Sequence, residues 1–352
     1  MADDEKSEAS KDRAIAEFTD LLGLREPLVE LVRAFQRGLG HIFEPWLRRR
    51  QGNVSIEFLR KVKAEISSLP EIPLSSEVEF DVDGRVRMRL LNEGRRQQRN
   101  RELVAIGAVE EVRANDSQEK TPGSGARVTD EWIDRFWRLA QDVSDADLQS
   151  IWSRVLAREA TRPGSFSLHT LDVLSRLDRE AAKELERLAG CTLSSRKSHG
   201  SQAVILLSFE AQALTGRPNF NHSDVEPAER RLQAIVGDCV HDRFAALGLV
   251  GLPRWSNTFV TYQAGFFFFA PREGDVASFE MAGACFRLHG LPAPRRPMEV
   301  NEVCLGNGPG WTLTGREILS LARVQPDPLY LASLREGFAA LGLELEGPIP
   351  TR

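Results

Sequence analysis

Cysteine is scarce. Cys191, Cys239, Cys285 and Cys304 are the only four in 352 residues, and no two share a C-x-x-C spacing. That pattern argues against a zinc ribbon or a disulfide framework and for buried free thiols in a reducing compartment. Histidine is equally thin. His41, His169, His199, His222, His241 and His289 form neither H-E-x-x-H nor a cluster with cysteine, so no metal site is assigned. A G-x-S-x-G nucleophile elbow is missing, and "GNGPGW", Gly306 to Trp311, lacks the Lys-Ser/Thr ending of a phosphate loop. It reads as a turn before a strand. Long apolar runs are also missing, and Met1 to Lys11 is acidic and polar where a secretory signal is basic and then apolar, so the expected location is cytoplasmic. No catalytic residue and no cofactor is assigned.

What is present is an ordinary globular composition: 41% hydrophobic, 28% charged, formal net charge −5. The negative balance argues against wholesale coating of nucleic acid or anionic lipid, so any basic site is local. The length exceeds what one core usually organises. Five segments emerge. Residues 1–12 are a polar tail expected to be disordered; 13–114 carry amphipathic and arginine-rich helices; 115–127, "NDSQEKTPGSGAR", is a linker by composition. Residues 128–189 form a helical block, and 190–352 mix strand and helix patterns. The fold class is α+β: a mainly helical N-terminal half followed by an α+β domain. In the latter, Val225 to Leu247, Phe259 to Phe269 and "WTLTGREI" suggest a winged-helix-like arrangement.

In the N-terminal half, Leu28, Leu31, Val32, Phe35, Leu39, Ile42, Phe43 and Trp46 recur at helical spacing. Gly38 and Gly40 interrupt that helix at about 1 kcal/mol each, and Pro45 bends or ends it before Arg48, Arg49 and Arg50. An apolar stripe finished by Trp46 and three arginines has the make-up of an interfacial membrane anchor over residues 28–50, and equally of a core helix. A second helix is expected over Val54 to Ile66. A third, about Arg85 to Arg113, places Leu90, Leu91, Leu103, Ile106, Val109 and Val112 among arginine and glutamine. Within it Arg85, Arg87, Arg89, Arg95, Arg96, Arg99 and Arg101 face only Glu93. That excess suits phosphates, with Arg95, Arg96 and Arg99 as candidate contacts, and equally an acidic segment or a neighbouring subunit.

The helical block has legible starts. Thr129, Ser144 and Ser167 each resemble an N-cap with an apolar residue before and another four positions after: Val128 with Ile133, Val143 with Leu148, Phe166 with Leu171. Between Ser150 and Leu177, "SIWSRVLAREATRPGSFSLHTLDVLSRL" gathers Ser153, Glu159, Ser165, Ser167 and His169, the residue types of a hydrolytic centre. Helix geometry favours a corner instead. Ser167 as N-cap aims its oxygen at the N–H of His169 or Thr170, and His169 sits where the helix dipole disfavours its protonated form. Arg158, Glu159 and His169 remain candidates for contact with a partner.

"DEWIDRFWRLAQDVSDADLQSIWSRVLAREATRPGSFSLHTLDVLSRLDREAAKELERLA", Asp130 to Ala189, resembles the core of a bacterial group known as domain of unknown function 2806, through a W-x-x-x-L-A-x-E…P-G-x-F-S-x-x-T-L-x-x-L pattern. The matching positions are Trp152, Leu156, Ala157, Glu159, Pro163, Gly164, Phe166, Ser167, Thr170, Leu171 and Leu174. "GLGHIFEPWLRRR", "RRQQRN" and "LTGREI" resemble flanking elements, and similar helices occur in Abi-alpha abortive-infection proteins. The resemblance implies a bacterial protein tied to phage defence and supplies no catalytic residue. The leading expectation is a non-enzymatic sensor or effector that binds a protein partner or itself, with a membrane surface and nucleic acid as further partners.

Overall fold

The computed structural model describes residues 29–39, 63–64, 66, 82–115, 127–197, 200–209, 222–237, 243–251, 254–255, 260–261, 264–269, 277–290 and 302–349. The chain divides into two compact units, residues 1–179 and 180–352, and its class is α+β. The described helices of 13–114 belong to the first unit, and the 128–189 block divides, its helices up to residue 174 in the first unit and its last helix mostly in the second.

The first unit is helical: α1 (Val29–Leu39), α2 (Val82–Asn115), α3 (Asp130–Ala140), α4 (Ala146–Thr161) and α5 (Leu168–Leu174). The α1 stripe of Leu31, Val32, Phe35 and Leu39 is buried. Gly38 is there for proximity: a Cβ on it would stand 2.1 Å from the Trp137 indole, whose Nε1 donates to the Ala34 carbonyl at 2.8 Å. Arg33 and Arg37 close the same contact on Asp130 and Asp134. Arg37 holds the Asp134 carboxyl below its usual range by hydrogen bond and charge. This stripe is core, so residues 31–39 do not present it to a membrane; Trp46, Arg48, Arg49 and Arg50 lie outside the described residues, as do most of 54–66 and the 116–126 linker.

Helix α2 packs its second half against α4. The apolar residues Leu103, Val104, Ile106, Ala108, Val109 and Val112 are buried there, and the two helices come close at Gly107, where a Cβ would meet Ser153 Oγ at 2.3 Å. Ser153 donates to the carbonyls of Val104 and Gln149 at 3.0 and 2.8 Å, and Gln149 Nε2 donates to Asn100 Oδ1 at 3.2 Å and the Val143 carbonyl at 2.9 Å. All three polar side chains are buried. Each found a partner, which is what makes their burial tolerable.

The second unit contains most of α6 (Arg179–Ala189), then α7 (Glu226–Val236), α8 (Leu313–Leu319) and α9 (Pro328–Ala340) with antiparallel sheets. One sheet has the order β10-β8-β7-β1-β2 and another the order β3-β9-β6, with β4 and β5 paired apart. Their ranges are β1 Thr192–Lys197, β2 Gly200–Ile205, β3 Ser208–Phe209, β4 Arg254–Trp255, β5 Val260–Thr261, β6 Ala264–Phe269, β7 Ala277–Met281, β8 Ala284–His289, β9 Glu302–Gly308 and β10 Glu344–Ile349. The apolar run 203–209 is divided at Leu206 and Leu207 between β2 and β3 and so serves two sheets. "GNG", expected as a turn, is the end of β9. Its glycines admit a neighbouring backbone: a Cβ on Gly306 would lie 2.2 Å from the Ser208 carbonyl oxygen, and one on Gly308 1.7 Å from that of Ile205. Helix α7 stops at Gly237, φ +70°, short of the expected Leu247; Gly248, also at φ +70°, ends a separate turn.

The close approach at Gly107 is testable. Gly107→Ala gains about 1 kcal/mol of helix propensity yet should lower stability by about 1–3 kcal/mol through overpacking on Ser153. A urea midpoint equal to or above that of the parent protein would contradict the contact.

Candidate functional site

The expected helix corner after α4 is closed by Glu159 as a clamp. Glu159 lies in the last turn of α4 with only 3% of its surface exposed. Its carboxylate accepts from the backbone N–H of Gly164 at 2.7 Å and of Phe166 at 3.0 Å. The chain turns between them through Gly164 at φ +85°, a conformation that a residue with a Cβ adopts only at a cost. Phe166 is buried against the core and its carbonyl accepts from Trp132 Nε1 at 2.9 Å. Ser167 then caps α5, accepting from the Thr170 N–H at 3.2 Å, and its hydroxyl meets the buried Thr170 hydroxyl at 2.9 Å.

The rest of the block fits the same plan. Thr129 caps α3 by accepting from the Trp132 N–H, and its staple pair Val128 and Ile133 is buried, as are Phe166 and Leu171. Ser144 is not a cap. Asp145 takes that place on α4, accepting from the N–H groups of Asp147 and Leu148, because Ser144 is claimed by Arg96 and Asn100 from α2. In the core Trp132 stacks on Phe136, and Trp152 meets Phe136 at an interplanar angle of 59°.

Arg158 is half-buried, and desolvation lowers its pKa; His169 is exposed on α5. The structure brings Glu159 to the corner backbone and leaves His169 at the surface. Among the described residues no group of three or more His, Cys, Asp or Glu is placed to hold a metal ion, and no helix is long and apolar enough to cross a membrane.

The arginine helix separates into two parts. Arg96 is committed to Glu93 at 2.5 Å and Asp142 at 3.2 Å, and it holds the Glu93 carboxyl below its usual range. Arg101 donates to the Gly38 carbonyl and to Gln141, and burial lowers its pKa. Arg95 and Arg99 make no ion pair among the described residues. Leu90 and Leu91, read as positions of the helix, are 61% and 56% exposed, and Val82 and Val86 are 65% and 44% exposed.

The second unit keeps its reactive groups for structure. Glu229, which carries no local sequence signal, is buried and accepts from the β3 N–H of Phe209 at 2.7 Å. Tyr330 donates to the Leu206 carbonyl at 2.8 Å. Burial, with Asp327 nearby, pushes the Cys191 thiol up to about 12.

Residues 84–233 match the model of a family described as a protein of unknown function, DUF2806. The match runs from the first turn of α2 into α7 and contains the whole Trp152 to Leu174 pattern. Every position of that pattern from Trp152 to Leu174, apart from half-exposed Pro163, is buried, bonded to the corner, or in Gly164's case set by its backbone angle. No curated protein and no solved structure matches the chain.

Two outcomes follow. Glu159→Gln should cost about 1–3 kcal/mol, since one buried N–H loses its carboxylate acceptor, whereas His169→Ala should stay within about 0.5 kcal/mol; equal losses in thermal or urea unfolding would refute the clamp. Native protein alkylated with iodoacetamide at about pH 8 should leave Cys191 unmodified by peptide mapping and modify it only after unfolding, because the thiolate is the nucleophile. Equal labelling in both states would contradict its burial.

Proposed function

We propose that this is a non-enzymatic interaction protein, of the sensor or effector kind, that engages a macromolecular partner through the first half of α2. The supporting observation is the exposure of Val82, Val86 and Leu90 at four-residue steps on one face of a helix that also exposes Leu91 on another face and carries Arg85, Arg87, Arg89 and Arg95 on its surface. Single exposed apolar side chains are ordinary, but a cluster rimmed by charge marks contact surfaces. Gly84, Asn92 and Gly94 are poor helix formers set among arginine, leucine, methionine and glutamine, which are good ones. A Cβ on Gly94 would meet nothing within 4 Å, so that glycine answers no packing demand.

The resemblance to abortive-infection proteins supports placing this interaction in bacterial phage defence, in the cytoplasm or at a membrane periphery. Nucleic acid is a second reading, and Arg95 and Arg99 favour it. Against it stands Arg96, whose charge already answers Glu93 and Asp142.

Proximity labelling in the native host distinguishes a contact surface from an inert one. The full-length protein fused to a labelling enzyme should mark a set of neighbours that disappears with Leu90→Asp and Leu91→Asp while the melting temperature is unchanged. Identical neighbours for both proteins would remove the reading.

A further inference from the structure

We draw no further inference here: the strongest candidate, the exposed apolar face that Val82, Val86 and Leu90 form along the first half of α2, carries nothing beyond the contact surface already proposed, because nothing in the structure shows what covers it.

Discussion

The first unit depends on a buried carboxylate bonded to the backbone of the turn that follows its helix. Glu159 closes the turn after α4 by accepting the Gly164 and Phe166 N–H groups, and this fixes the direction in which α5 leaves. Phe166 then reaches the core and its carbonyl holds Trp132. An acidic side chain buried to this degree is costly unless its acceptor sites are filled. Here they are filled by donors that the turn itself would otherwise leave without partners. The two needs cancel, so the most reactive-looking residue of the motif is consumed by architecture.

The same economy appears along α2. Asn100, Gln149 and Ser153 run a line of hydrogen bonds from the α3–α4 corner to the α2–α4 contact. Such a line specifies register: sliding either helix by one turn would strand three buried polar groups. Arg96 and Arg101 extend the line to the surface and bind the corner from outside. The arginine-rich sequence is therefore two populations, one spent on holding α2 to its neighbours and one left facing solvent.

Much of this was legible in the residues. The span of α2, the caps at Thr129 and Ser167 and the corner after α4 follow from local spacing and local chemistry. What was not legible is decided by distant contacts. Ser144 and Asp145 are adjacent and both suit a cap; only the reach of Arg96 and Asn100 from α2 removes Ser144. "GNG" reads as a turn because glycine usually marks one, but here glycine answers the carbonyls of Ser208 and Ile205. The strand β1, "TLSSRK", lacks the apolar alternation that announces a strand and is held by pairing with β2 and β7. Glu229 shows its structural role only once β3 lies beside it.

Leu90 and Leu91 carry a different lesson. Helical spacing puts Leu90 eighteen residues before Ala108 and Leu91 eighteen before Val109, both of them buried, and periodicity alone cannot say where along a helix the core ends. The limit is set by α4, whose capped start at Asp145 stops the packing level with Asn100. Beyond that level the helix keeps its apolar face while losing the surface that would bury it, so the face is core by spacing and exposed by the length of its neighbour.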